Sequence, residues 1–172
     1  MKVEIRDSSG TEIQRRKIKE ILKAILKDLG LSGCEVSIVL TDNPGMKELN
    51  RKYRRINKPT DVLSFPMESP PALPFKKGAA PRDIMLGDIV ISTEKAREQA
   101  KEYGAGFYEE MTRLLIHGVL HLIGYDHVKG GSRAKRMKEK EEGLLKAVRV
   151  GLEGGTRISH SLRLGIQEGN DK

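Results

Sequence analysis

The sequence predicts an α+β fold in which a single mixed four-stranded sheet is packed with about five helices. Four short segments carry apolar residues in strand-like patterns, and longer segments repeat apolar residues with helical spacing. The two kinds of segment are grouped along the 172 residues instead of alternating strictly, which is typical of α+β sandwiches. The order of the strands in the sheet stays open.

The first half of the chain is predicted to hold two strands and two helices. Apolar residues alternate over residues 2–7 and again over 35–40, which indicates a strand in each case. Between these strands Thr11 can cap a helix whose apolar residues keep helical spacing until Gly30 ends it. Asn43, followed by a proline, caps a second and shorter helix.

The other two strands are predicted in the second half. They cover residues 61–67 and 84–92, and both are bounded by turn-forming or capping residues. Ser92 or Thr93 then caps a helix that runs to about Tyr103.

The remaining segments complete the domain organisation. A central helix begins near Phe107, and a last helix is predicted over residues 132–150. Residues 68–82 are rich in proline and predict a long loop. The apolar pattern fails after residue 150, so we expect one domain over residues 1–150 and a flexible tail over 151–172.

Charge and cysteine content limit the partners and the compartment. The chain has 32 Lys and Arg against 24 Asp and Glu, a net charge of +8. This excess favours either a polyanionic partner such as nucleic acid or a generic basic surface. Cys34 is the only cysteine, so a reducing compartment fits. The N-terminus lacks the apolar core of a signal peptide and no stretch reaches transmembrane length, so we expect a cytoplasmic protein without a membrane partner.

The central helix carries the pattern most informative about chemistry. Residues 111–123 are apolar on every side of a helical wheel, which predicts a buried helix. His117 and His121 are four residues apart and therefore share one face of it. Gly124 ends the helix and lets the chain bring back His127. Three imidazoles converging at a helix end predict a zinc site with one coordination position open.

These histidines could instead have purely structural roles. Each one alone could be a hydrogen-bonded core residue. A zinc ion could also be purely structural, although such sites are usually closed by a fourth Cys or His, and neither Cys34 nor His160 has the spacing of a fourth ligand. Asp126 could orient His127 or simply form the turn.

One position separates this pattern from that of metzincin proteases. Those enzymes carry Glu directly after the first histidine, where it is the general base, whereas this chain has Gly118. Another base, the substrate itself, or zinc-bound hydroxide alone would have to replace it, and zinc lowers the pKa of its water to roughly 7.

Three blocks of sequence resemble the YbeY family of bacterial endoribonucleases. They are the histidine block over residues 117–127, Pro-Thr-Asp-Val-Leu-Ser-Phe-Pro over 59–66, and Leu-Gly-Asp-Ile-Val-Ile-Ser over 86–92. The pairs Leu-Asn and Tyr-Arg at residues 49–50 and 53–54 fit as well, and the resemblance spans roughly residues 3–150.

This resemblance implies a metal-dependent hydrolase that cleaves single-stranded RNA. It implies one Zn²⁺ per chain at His117, His121 and His127, and it maps the family's active-site arginine onto Arg54. The implied roles are maturation of ribosomal RNA, notably the 3′ end of 16S rRNA, and ribosome quality control. The implied partners are ribosomal RNA and the small ribosomal subunit, with no DNA expected.

The residues themselves are compatible with that chemistry. The guanidinium of Arg54 matches phosphate oxygens, although Arg54 could instead cover a solvated helix end. Residues 47–58 hold six basic residues and one acidic, and residues 129–149 hold eight and three. These could line a groove for RNA or be two solvated helix faces. Asp61 and Ser64 could contact phosphate or satisfy backbone groups.

Three functions follow from these patterns. The first is a zinc-dependent endoribonuclease, and the second is a zinc peptidase, against which Gly118 argues. The third is a non-enzymatic, ribosome-associated RNA-binding protein whose zinc is structural.

Overall fold

The computed structural model of the chain describes residues 3–67, 83–125 and 131–160, and all nine predicted strands and helices are present in it. The α+β class is therefore confirmed, with a single mixed four-stranded sheet and five helices. The elements in chain order are β1 (Val3–Asp7), α1 (Arg15–Asp28), β2 (Cys34–Thr41), α2 (Asn43–Arg54), β3 (Val62–Pro66), β4 (Ile84–Ser92), α3 (Thr93–Glu102), α4 (Phe107–Leu122) and α5 (Gly131–His160).

The sheet has the strand order β1-β2-β4-β3. β1, β2 and β4 are parallel, whereas β3 runs antiparallel to β4 at the edge. β4 carries an irregularity opposite the Glu35–Val36 step of β2, and Gly87 there has a φ of +142°. A side chain at Gly87 would collide with the carbonyl of Phe65 on β3, so only glycine allows the two strands to pair so closely.

Both faces of the sheet are covered, by layers of different size. The larger core lies where α1, α4 and α5 pack together on one face. The smaller core, of Met46, Leu63 and Val90, joins α2 to the other face. Along β4 the side chains alternate between these cores, Ile89 in the larger and Val90 in the smaller. This double burial puts β4 and α4 at the centre of the molecule.

Two helices begin at other residues than the sequence pattern indicated. α1 begins at Arg15, after Gln14, and Thr11 does not cap it. The hydroxyl of Ser9 instead accepts a hydrogen bond from the Thr11 N–H, so a polar turn occupies this stretch. α2 is capped by the Asp42 carboxylate, which accepts from the Gly45 N–H at 2.8 Å, so Asn43 is the first helical residue and not the cap.

The last helix runs past the expected end near residue 150, as far as His160. Residues 161–172 and the predicted loop over 68–82 lie outside the described part, and the division into a domain and a tail stays a prediction. Within the described residues, no helix combines the length and the apolar character that crossing a membrane would require.

Candidate active site

The helix α4 is buried as predicted, and its two histidines are its half-buried polar positions near the C-terminal end. His117 and His121 lie one turn apart, with ring centroids 4.6 Å apart. Their Nε2 atoms approach to 3.0 Å, so both nitrogens face the same small region of space. The i, i+4 spacing therefore produces the convergence that the sequence predicted for this pair.

The end of α4 is a glycine-terminated reversal of the chain. The Gly124 N–H donates to the His121 carbonyl and the Tyr125 N–H to the Leu120 carbonyl, which is the Schellman arrangement. Gly124 has a φ of +91°, a conformation that glycine adopts without strain. The predicted end of the helix at Gly124 is thus present, whereas the predicted return of the chain beyond Tyr125 stays a prediction. His127, together with Asp126, lies outside the described residues, so the three-histidine set stays a prediction.

The imidazole pair fits part of a zinc donor set. Two imidazole nitrogens on a tetrahedral zinc ion, each at ~2.0–2.1 Å from it, lie roughly 3.3 Å apart. The 3.0 Å between the two Nε2 atoms is close to this value. No group of three or more His, Cys, Asp or Glu side chains converges among the residues described, which leave out His127. The identity and the number of the ions therefore stay predictions.

A carboxylate from the last helix contacts the first histidine on its other ring nitrogen. Oε1 of Glu141, on α5, lies 2.6 Å from Nδ1 of His117. An ionised carboxylate can only accept, so Nδ1 of His117 donates. Glu141 was not among the site residues predicted from the sequence. The sequence held one indication of it. Met137, Leu144 and Val148 form the buried apolar face of α5, and Glu141 lies on that same face, since the four residues follow one another at intervals of four, three and four.

The two histidines open into a cleft of about 660 Å³ at the junction of three elements. The cleft is lined from the end of α2, from β3 with the residues before it, and from α4. Its lining includes Arg54, Ile56, Thr60, Asp61, Val62, Ser64, Pro66, His117 and His121. Arg54, which was predicted from the sequence, therefore shares a cleft with the imidazole pair.

Arg54 is held there by the way that α2 ends. The helix stops at Arg55, which adopts a left-handed φ of 59°, and the chain turns towards β3. The side chain of Asn50, only 3% exposed, donates to the Lys58 carbonyl at 2.7 Å and ties this turn to the helix. Tyr53 packs edge to face on Phe65 but remains 55% exposed beside the cleft.

The polar residues at the start of β3 contact protein groups. Oδ1 of Asp61 accepts from the Val62 N–H at 2.8 Å, and its Oδ2 accepts from Nε2 of Gln99 at 3.1 Å. The hydroxyl of Ser64 donates to the Gly118 carbonyl at 3.3 Å. The sequence left open whether Asp61 and Ser64 contact phosphate or satisfy backbone groups. Their hydrogen bonds to protein groups favour the second interpretation.

An ion pair behind Asp61 joins three elements. Arg113 on α4 makes three hydrogen bonds to the buried carboxylate of Glu110, and its Nη2 lies 3.7 Å from Oδ2 of Asp61. The hydrogen bonds to Glu110, opposed by partial burial, raise the pKa of the Arg113 guanidinium. Since Gln99 on α3 also contacts Asp61, the network fixes the position of β3 relative to α3 and α4.

Gly118 is required by packing. A Cβ at this position would lie 2.9 Å from Cγ2 and 3.0 Å from Cδ1 of Ile89, which is fully buried on β4. The helix approaches the sheet here more closely than any side chain would allow. The position that holds the general base of metzincins therefore has no room for a carboxylate in this fold.

Comparison with known proteins gives a consistent result. Residues 2–149 match the family described as Endoribonuclease YbeY. Proteins with that name from Persephonella marina and Aquifex aeolicus are each 42% identical, over 80% and 78% of this chain and 85% and 83% of their own. One from Acetivibrio thermocellus is 49% identical over 67% of this chain and 74% of its own.

A solved structure with the same fold is that of TM1509 from Thermotoga maritima, determined in solution. It superposes with a TM-score of 0.57 at 28% identity, covering 88% of this chain and 93% of that one. The family match includes Arg54 and all three predicted histidine ligands, and it stops before the segment predicted as a tail.

Proposed function

The chain belongs to the YbeY family of endoribonucleases, and from this premise we propose that it is a metal-dependent endoribonuclease that cleaves single-stranded RNA. One observation carries the proposal: Arg54 and the converging pair His117 and His121 line the same cleft. A phosphodiester hydrolase needs a Lewis acid and a cation that stabilises charge on the phosphate, and the cleft brings candidates for both together.

The biological role that we propose is maturation of ribosomal RNA. Its components are processing of the 3′ end of 16S rRNA and ribosome quality control, in the cytoplasm and on the small ribosomal subunit. The net charge of +8 supports a polyanionic substrate. Cys34, the one cysteine of the chain, is buried as a thiol, in keeping with a reducing compartment.

We propose that one zinc ion per chain is held by His117, His121 and His127. Bound there, zinc would supply a Lewis acid that polarises a phosphoryl oxygen. Arg54 would place its guanidinium fork on the non-bridging oxygens of the scissile phosphate and stabilise the negative charge that develops on them. Ile56 and Val62 line the same cleft and give it an apolar part beside these polar groups.

The surroundings of the cleft suit a single strand. The exposed ring of Tyr53 offers a surface on which an unpaired base can stack. Lys52, Arg55 and Lys58 are exposed around the same end of α2 and can follow the phosphate backbone. A paired base would not expose its face to the ring, so we expect duplex RNA to be a poor substrate.

A zinc peptidase is the less favoured alternative. The close contact of Gly118 with Ile89 excludes the glutamate base that metzincins place at this position. An RNA-binding protein with structural zinc would need the metal for folding and not for cleavage.

Purified protein can be incubated with single-stranded RNA, duplex RNA and casein, with and without a chelator. We expect cleavage of single-stranded RNA that the chelator stops and added zinc restores. Cleavage of casein alone would replace this proposal by the peptidase. His117→Ala should abolish cleavage while the protein stays folded and binds RNA; an unfolded variant would support structural zinc.

A further inference from the structure

We propose that Glu141 is a positioning residue, which fixes the ring of His117 and its tautomer so that Nε2 is presented to the metal. This inference rests on the proposed metal site, and it assigns to α5 a part in that site. It concerns a carboxylate that would contact the ligand and not the metal.

The geometry of the contact defines the role. Oε1 of Glu141 lies 2.6 Å from Nδ1 of His117, within the range of charge-assisted hydrogen bonds. A proton held on Nδ1 leaves Nε2 of the neutral ring with its lone pair. That Nε2 is the atom that faces Nε2 of His121 at 3.0 Å. The two ring nitrogens of His117 therefore face different groups: Nδ1 faces the Glu141 carboxylate, and Nε2 faces the proposed metal position. Metal-binding histidines commonly have this arrangement.

The position of Glu141 on α5 is unfavourable for an ordinary surface acid. Met137, Leu144 and Val148 are each buried to 2% exposure or less, and with Glu141 they form one face at 4-3-4 spacing. The Glu141 side chain is only 26% exposed, and that of His117 only 23%. A leucine would fill this position of the helix face, whereas a half-buried carboxylate needs a partner to offset its desolvation. The His117 ring is that partner.

The neighbouring carboxylate provides a matched control. Glu142 is exposed on α5 and lies one residue away, so its removal changes the net charge equally without touching His117. Glu141→Gln and Glu142→Gln can be compared for zinc affinity by competition with a chromogenic chelator. Loss of such an outer-shell partner typically weakens metal binding about 10–100-fold, which we expect for Glu141→Gln, with no change for Glu142→Gln.

A second variant separates positioning from a merely structural contribution. Glu141→Leu completes the apolar face of α5, so in the presence of chelator its unfolding midpoint should equal or exceed that of the wild type. Its zinc affinity should nevertheless fall at least as far as that of Glu141→Gln. The visible absorption spectrum of the cobalt(II)-substituted protein should change in both Glu141 variants and not in Glu142→Gln, because it reports the geometry of the ligands.

The outcomes distinguish this inference from the proposed function. If the wild type binds zinc and Glu141→Gln binds it equally well with an unchanged cobalt spectrum, Glu141 has no positioning role and the proposed nuclease stands. If zinc affinity falls only in proportion to a lower stability of the metal-free variants, the contact is structural and the inference is overturned. A wild type that binds no zinc contradicts the proposed metal site and this inference together.

Discussion

The Cβ that Gly118 lacks decides how closely α4 approaches the sheet. Ile89 is fully buried on β4, and its branched side chain occupies the space where a residue-118 side chain would begin. Protein interiors are close-packed, so Ile89 could not move aside by a few tenths of an ångström without displacing further neighbours. The glycine that looked from the sequence like the loss of a catalytic base is thus a condition for the packing of the site.

Gly118→Ala should destabilise the protein by about 1–3 kcal/mol through overpacking against Ile89. Chemical denaturation of the metal-free protein measures this. In the double variant Gly118→Ala/Ile89→Ala the added methyl has room, so the two changes should couple favourably by about 0.5–3 kcal/mol. Strict additivity of the two single changes would show that Ile89 is not what excludes a side chain at residue 118.

Arg54→Ala should lower the rate of RNA cleavage about 10²–10³-fold, the range observed when one preorganised donor to a developing charge is removed. Zinc content and thermal stability should not change, since Arg54 is exposed at the end of α2. Arg16→Ala is the matched control because Arg16 is exposed on α1, paired with Glu20. Arg54→Lys should recover only part of the rate, because an ammonium lacks the planar fork. Cleavage by Arg54→Ala at the wild-type rate would remove Arg54 from the proposed site.

A residue's contacts could be predicted from the sequence when its partner lies a few residues away in the same helix, and not when the partner lies far away in the chain. His117 and His121 could be paired from the sequence because helical spacing alone brings them together. Glu141 could not be paired with His117, since their contact depends on how α5 docks. The role of Gly118 was hidden for the same reason, because Ile89 is its neighbour only in the folded sheet.

At the scale of elements, the network of Arg113 is a polar connection between the start of β3, α3 and α4. Its strongest part is the pair with Glu110, whose side chain is 3% exposed while that of Arg113 is 38% exposed. The network lies directly behind the cleft, because Asp61 belongs to both. Disturbing it should therefore affect stability first and the shape of the cleft second.

Arg113→Met should destabilise the protein by about 2–3 kcal/mol, somewhat below the ~3–5 kcal/mol typical of breaking a fully buried pair, because Arg113 is partly solvated. The loss arises from the Glu110 carboxylate, which stays buried without its partner. Arg113→Met/Glu110→Leu should regain most of the stability in urea denaturation, because apolar residues replace both charges. A double variant no more stable than Arg113→Met would mean that Glu110 is not the source of the loss.

Element type was predictable from hydrophobic periodicity, and helix ends were less so. Hydrophobic spacing identified β4 to the residue and α4 nearly so, because both elements are buried on most sides. The start of α1 was misplaced because the Ser9 hydroxyl accepts a hydrogen bond from the Thr11 N–H and forms a turn there. At α2 two adjacent polar residues could each have been the cap, and the prediction named Asn43 where Asp42 caps.

For the whole molecule, the fold class was predictable and the strand order was not. Parallel pairing of β2 with β4 and insertion of β4 between β2 and β3 depend on contacts between segments far apart in the chain. The alternation of apolar residues within a strand predicts which of its faces is buried, but it does not predict which other strand pairs with it. The cleft could not be predicted for the same reason, because the arrangement of the strands decides where α2 and α4 lie relative to each other.

Cys34 offers a reporter for the cooperative unfolding of this whole structure. It is fully buried in the larger core, and desolvation by burial raises the pKa of its thiol. Iodoacetamide should therefore leave the native protein unmodified. As urea unfolds the protein, the fraction of Cys34 that is labelled should rise in parallel with the fraction unfolded, and mass spectrometry can measure this labelling. Rapid labelling in native buffer would show local opening of β2.

The same raised pKa predicts how stability responds to alkaline conditions. A thiol that holds its proton more tightly in the folded state contributes full stability below the unfolded pKa of ~8.5, and this contribution is lost as pH rises through the folded value. Any stability advantage of the wild type over Cys34→Ala should therefore shrink above pH ~8.5. An advantage that grows with pH would contradict the raised pKa.

The contact between α4 and α5 also has a consequence for the timing of synthesis. Glu141 follows His117 by 24 residues, so a ribosome adding ~5–20 residues per second completes the histidine roughly one to five seconds before the carboxylate. During this interval a nascent chain carries both imidazoles of α4 but not the group proposed to orient the first of them. If Glu141 has the proposed role, tight metal binding would wait until α5 has been translated and has docked, and a partly made chain would hold the ion about 10–100-fold more weakly than the complete protein.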